Sequence, residues 1–290
     1  MSSTSSTTGS TTSSSKSLVP YNQGSQFYSG SGPLNFQTGV QYGFFFDQGR
    51  CTGCHDCTLS CKIWYDDPVG PVKRMRCYEW ETGTFPNLRV NFYIQPCWHC
   101  QNPVCVQASN GAMFKEPNYG AVLIDPAQAN SANLKAAWDA CPYGAIVFDS
   151  NSPASNAFKC TMCIDRLEQG MMPVCVTSCR MRALEFGPMA TLESKYGTTK
   201  DLPDVPSSTT TNPSVVFKAA IAHSQVVPYD SNAALTLWQG RGPFGAPGLP
   251  NLFNAATDVT SASTNIVGRN KLVLKHSSVE ELDYYTVNDE

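Results

Sequence analysis

The run Cys51-Thr-Gly-Cys54-His-Asp-Cys57-Thr-Leu-Ser-Cys61 limits what this chain can become more than any other stretch. Cysteines at i, i+3 and i+6 wind the backbone tightly, so three sulfurs reach one iron–sulfur cubane with the intervening amides turned toward them. Cys61, further on, points elsewhere. In proteins carrying two such cubanes, the last cysteine of a C-x2-C-x2-C-x3-C run ligates the other cluster. The run therefore demands a partner, and the chain supplies one downstream: Cys160-Thr-Met-Cys163, then Cys175 and, after the same x3 gap, Cys179.

Between these two lies an incomplete pair. Cys97-Trp-His-Cys100-Gln-Asn-Pro-Val-Cys105 again offers three ligands, but its fourth position is Ser109, and its partner group retains only Cys141. If each group gives three cysteines to its own site and one to its partner's, Cys51, Cys54 and Cys57 join Cys179. Cys160, Cys163 and Cys175 join Cys61, and Cys97, Cys100 and Cys105 join Cys141. Three [4Fe–4S] sites follow. A fourth would need cysteines at Ser109 and near Ser131, Leu134 and Ala137, so it is expected to be empty and filled by protein. The one cysteine left over, Cys77, stands in an aromatic hairpin and reads as a small buried hydrophobe. Trp98 reads as shielding for a cluster. His55 and His99, inside the cysteine loops, read as groups that hydrogen-bond a sulfur or pack against it rather than catalyse; His223 and His276 carry no signal.

Thirteen cysteines among 290 residues are too sparse for a disulfide-stapled scaffold, and 41% apolar residues can fill a core. A formal net charge of -3 leaves no basic footprint, so nucleic acid is not expected as a partner. No apolar run approaches the roughly 18 residues of a membrane span, and no export signal is visible at Met1. The expectation is a soluble polypeptide without direct membrane insertion, cytoplasmic or exported bound to a signal-bearing partner.

The expected fold is α+β: a double ferredoxin-like 4Fe–4S domain with long loops and a mostly irregular C-terminal extension. Residues 1–38 read as a disordered Ser/Thr-rich tail. Residues 39–200 form the cluster domain, lobe one from 39–65 with 150–190 and lobe two from 66–149. Residues 201–290 are the extension, expected to contact the partner subunit; its one strand-like run is Lys271–Lys275. Tyr42–Asp47 and Gly120–Asp125 read as strands, residues 78–94 as a hairpin and Arg182–Gly187 as the strand closing the domain. Asn130 or Ser131 caps a helix that puts Leu134, Ala137, Trp138 and Cys141 on one face, and residues 200–213 read as an exposed connection.

Taken together, the cysteine runs, Glu81-Thr-Gly-Thr-Phe-Pro86, Gly111-Ala-Met-Phe-Lys115, Cys141-Pro-Tyr-Gly-Ala145, Lys159-Cys-Thr-Met-Cys163 and Arg182-Ala-Leu-Glu-Phe-Gly187 resemble a known family. It is the ferredoxin-type electron-transfer subunit of the dimethyl sulfoxide reductase and molybdopterin oxidoreductase family, over roughly residues 40–200. The missing group is similar to the three-cluster small subunit of pyrogallol–phloroglucinol transhydroxylase. The resemblance implies a chain that is no enzyme by itself: it passes electrons to or from a molybdopterin-containing catalytic subunit, with a soluble electron carrier as a further expected partner. Two alternatives stay open at this point, a structural zinc protein, since paired C-x2-C units also bind zinc, and a subunit of a redox-neutral transhydroxylase-type complex.

Overall fold

The computed structural model describes residues 34–83, 89–221 and 270–286. The Ser/Thr-rich stretch up to residue 33 lies outside them. Strand β1 (Tyr42–Asp47) is buried at every position, although its sequence does not alternate. Both of its faces are covered, as continuous apolar strands require. Tyr42, Phe44 and Phe46 point toward the cysteine loops, where Tyr42 stacks on Phe186 at 5.3 Å and Phe44 meets Trp98 edge-on at 5.9 Å. Phe45 points the other way and stacks on Tyr196 at 3.7 Å. Each buried ring contributes roughly 2–3 kcal/mol of transfer free energy.

β1 is the central strand of a three-stranded sheet. On one side β8 (Leu184–Pro188) runs antiparallel, with Phe44 opposite Phe186. On the other, β9 (Val215–Lys218) runs parallel, with Phe44 opposite Val215. The cluster domain therefore does not end at residue 200, where the sequence reading placed its boundary. The connection before β9 is also tethered: Gln101 and Asn102 donate backbone hydrogens to the carbonyls of Asn212 and Thr211. At the other boundary, residues 34–38 are not free tail, since Leu34 bonds Gly170 and Phe36 packs edge-on against Tyr42 and Phe186.

The remaining elements hang from this sheet in two similar halves. Helix α1 (Asp56–Trp64) packs on α5 (Val174–Ser178), and α2 (Val104–Ala108) packs on α3 (Ser131–Ala140). Asn130 caps α3, its side chain accepting the Asn133 N–H at 2.9 Å. Hairpins β2–β3 (Arg76–Thr82 and Arg89–Gln95), β4–β5 (Met113–Lys115 and Val122–Ile124) and β6–β7 (Val147–Phe148 and Ala157–Phe158) bridge the halves. Short α4 (Ile164–Leu167) follows Cys163, and α6 (Met189–Tyr196) covers the outer face of β1.

The described end of the chain lies on the second half. Residues 271–275 are irregular rather than the expected strand and pair with no strand among the described residues. A helix that the sequence reading did not anticipate, α7 (Val279–Thr286), follows. Lys73 pairs with Asp283 at 2.5 Å, Asn151 with Glu280 at 2.9 Å, and the Leu274 carbonyl comes so close to Gly144 that a Cβ there would lie 2.5 Å from it.

Candidate metal centres

The three loops Cys51–Cys54, Cys97–Cys100 and Cys160–Cys163 share one backbone device. The residue before the second cysteine is left-handed in each: Gly53 at φ +65°, His99 at +45° and Met162 at +61°. This turns the amide toward the first sulfur. His99 N–H lies 3.4 Å from Sγ of Cys97, Met162 N–H 3.4 Å from Sγ of Cys160, and Gly53 N–H bonds Cys51. Glycine is required at the first of these positions, where a Cβ would sit 2.5 Å from the Phe92 ring. Cys179 has a similar donor, the Ala183 N–H at 3.3 Å. Rows of amides aimed at sulfur are the concavities that hold anionic iron–sulfur groups.

The helices bring the cysteines together across the chain. Cys57 in α1 is buried beside Cys51, Cys179 and Cys54; burial first, then these neighbours, push its thiol up. Cys61, one turn along α1, faces Cys160 and Cys163 instead. Cys175 in α5 has Cys163, Cys160 and Cys61 as its nearest thiols. Cys100 faces Cys97, Cys141 and Cys105. Cys61 thus lies toward Cys160 and Cys163, and Cys179 toward Cys57. Burial and neighbouring Cys97 and Cys141 push the Cys105 thiol up to about 12, and burial with Cys163 and Cys97 does the same to Cys160. Sulfurs gathered this closely in a buried layer would repel one another as thiolates, and a cationic iron core would supply the charge that balances them. The donor set thus fits a [4Fe–4S] group. All thirteen thiols are free, and among the described residues no three or more His, Cys, Asp or Glu side chains close to the spacing of a single metal ion.

The two helix pairs place comparable positions at their ends. Cys179 ends α5 and Cys141 ends α3 as their C-caps. Cys61 follows Cys57 by the same interval as Ser109 follows Cys105, and Cys175 precedes Cys179 as Ala137 precedes Cys141. Ser109 is fully buried, its hydroxyl donating to the Val106 carbonyl at 2.8 Å and accepting the Met113 N–H at 3.0 Å. Leu134 and Ala137 are buried in the same layer.

Two side chains do more than the sequence suggested. Cys77 is buried as expected, but hairpin β2–β3 delivers it to the cavity walled by Cys51, Cys54, Cys57 and Cys179. Its thiol donates to Cys51, which lowers Cys51 and raises Cys77. His99 is fully buried, and burial, with Lys159 and Lys115 nearby, holds its imidazole well below the usual value. Its Nδ1 accepts the Val122 N–H at 2.9 Å, so Nε2 carries the proton, 3.5 Å from Sγ of Cys160. A loop of the third quartet thereby touches a ligand position of the second. Trp98 is a core residue, its indole N–H donating to the Tyr93 hydroxyl at 2.9 Å.

Residues 88–189 match the family model of the 4Fe-4S dicluster domain. The probable anaerobic dimethyl sulfoxide reductase chain YnfG of Escherichia coli (strain K12) is 37% identical over 189 residues, 62% of this chain and 89% of the relative. The B subunit of anaerobic dimethyl sulfoxide reductase from the same organism is 36% identical over 188 residues, with the same two coverages. Formate dehydrogenase 2 subunit beta (cytochrome c-553) of Nitratidesulfovibrio vulgaris is 34% identical over 166 residues, 50% of this chain and 75% of the relative. A ferredoxin-type 4Fe–4S domain of mixed helix and strand, cysteine quartets and this similarity lead to one conclusion: the chain belongs to the family of iron–sulfur electron-transfer subunits of molybdoenzymes that includes the B subunit of dimethyl sulfoxide reductase.

Proposed function

We propose that this subunit carries electrons through three [4Fe–4S] clusters in a double ferredoxin-like domain, to or from a molybdopterin-containing catalytic subunit. Cys51, Cys54, Cys57 and Cys179 would hold the first cluster, Cys160, Cys163, Cys175 and Cys61 the second, and Cys97, Cys100, Cys105 and Cys141 the third. The observation that carries this reading is the exchange of Cys61 and Cys179 between the first two quartets, which a row of independent single-ion sites has no reason to make. The clusters, when bound, supply the one-electron chemistry. The chain's own residues set where each sulfur lies, aim amides at it and keep water away. Cys160 has both Cys163 and Cys97 as neighbours, and Cys175 lies beside Cys57, which supports the order first, second, third along the wire.

The fourth position is filled by Ser109, Leu134 and Ala137, which supports a wire that stops at the third cluster. That favours exchange with a soluble carrier or a redox-neutral reaction at the catalytic subunit. Among the described residues no helix is long and apolar enough to cross a membrane. Metal analysis of anaerobically purified protein tests the reading. About twelve irons and twelve labile sulfides are expected from three cubanes; stoichiometric zinc without labile sulfide would end it.

A further inference from the structure

The charges around the three quartets differ. Beside Cys54, Arg180 and Asp56 close on each other at 2.9 Å. Beside Cys61, Arg74 pairs with Asp67 at 2.8 Å, and Cys163 faces both Asp165 and Arg166. The first two quartets therefore see cations largely matched by carboxylates. Around the third the matching fails. Lys115, on β4 and half-buried, donates to the Cys100 carbonyl at 2.6 Å and faces Cys100, Cys97 and Cys105. Arg76, 1% exposed, donates to the Gly144 carbonyl at 2.6 Å, in the loop after Cys141, and faces Cys141. Lys159, 2% exposed, donates to the carbonyls of Cys160 and Val122 and lies between Cys160 and Cys105.

None of these three cations takes part in the ion pairs found among the described residues. A carbonyl oxygen accepts from each of them but leaves its charge, which burial shields poorly from its surroundings, and Nε of Arg76 has no hydrogen-bond partner at all. What would balance them is the negative charge of a thiolate-ligated iron–sulfur core, and each added electron increases that charge. Lys159 is shared with the second quartet and favours reduction at both. Lys115 and Arg76 act chiefly on the third.

We propose that the quartet of Cys97, Cys100, Cys105 and Cys141 is the high-potential station of the wire, made so by Lys115, Arg76 and Lys159. This rests on the three-cluster reading above. Electrons entering anywhere along the wire then settle at the third quartet, beside the filled fourth position. There Cys100 and Lys115 are partly exposed, so a partner can reach the stored electron.

Redox titration of the full-length, cluster-loaded protein, followed by electron paramagnetic resonance, tests this with Cys100→Ser, Lys115→Gln and Lys115→Arg. Cys100→Ser identifies the signal of the third quartet. That signal is expected to have the highest midpoint. In Lys115→Gln its reduction constant should fall about tenfold, a 59 mV shift for one electron, with smaller shifts at the other two. Lys115→Arg, which keeps the charge, should restore it. If Cys100→Ser alters a signal of lower midpoint, or Lys115→Gln leaves the highest midpoint in place, the proposal fails. Wild-type protein with about eight irons would instead overturn the three-cluster reading, and the third signal would then be missing rather than misplaced.

Discussion

The backbone N–H of Val122 lies 2.9 Å from Nδ1 of His99 and thereby fixes the proton on the opposite nitrogen, the one that faces Cys160. A donor so oriented stabilises negative charge on the sulfur it meets. The carbonyl of the same Val122 accepts from Lys159, so one strand residue holds both the neutral donor and the buried cation.

His99→Asn is the informative change at this position, because asparagine tolerates the φ of +45° but is too short to reach Cys160. The reduction constant of the second cluster is expected to fall roughly tenfold, the effect of losing about one hydrogen bond to a charged group. Iron content should stay at the wild-type level. An unchanged midpoint with full iron would show that the imidazole only packs.

Crossed ligation makes a sharper demand. Cys61→Ser should perturb the resonance of the site built on Cys160, Cys163 and Cys175, and Cys179→Ser that of the site built on Cys51, Cys54 and Cys57. Should Cys61→Ser disturb only the latter, the ligand map is wrong.

Docking of the C-terminal segment is expected to depend on pH through His276. The residue is 8% exposed, its ring stacked 6.1 Å from Tyr78 and tilted against Tyr285 at 5.1 Å. Burial, and then the Arg76 guanidinium, lower it to about 4. An undocked imidazole titrates near 6.5, so the docked state binds fewer protons between those values. Docking is at full strength above about pH 6.5 and weakens as pH falls toward 4, by an order-of-magnitude figure of about 2 kcal/mol at pH 5. Hydrogen exchange of residues 279–286 at pH 7.5 and pH 5 measures this. In His276→Phe the difference should vanish; equal protection of the wild type at both pH values would refute the mechanism.

The local grouping of the cysteines was legible in the sequence because their spacing is local geometry: a residue three positions along a tight loop has few places to go. Asn130 was legible for the same reason, its cap bonding only three residues ahead. What escaped notice depends on distant partners. Val215–Lys218 is four residues long and follows a polar connection, so its apolar run carries no strand signal until β1 is there to pair with it. Lys271–Lys275 shows the reverse, a strand-like run that pairs with no described strand. Cys77 looked inert because nothing in its own hairpin reveals that Cys51 lies across from its thiol. Lys115, Lys159 and Arg76 look like ordinary surface cations until burial leaves them among main-chain carbonyls.

The parallel pairing of β1 with β9 also governs when the protein can be finished. A ribosome adding about 5–20 residues per second leaves the first strand waiting roughly ten seconds or more for Val215 to emerge, with the Phe44 and Phe46 rings still lacking part of their cover. Cys160, Cys163, Cys175 and Cys179 are made within that same interval. Cys51 and Cys61 therefore wait, together with β1, for the cysteines that face them, whereas Cys97, Cys100, Cys105 and Cys141 have all been made before Cys160 is reached.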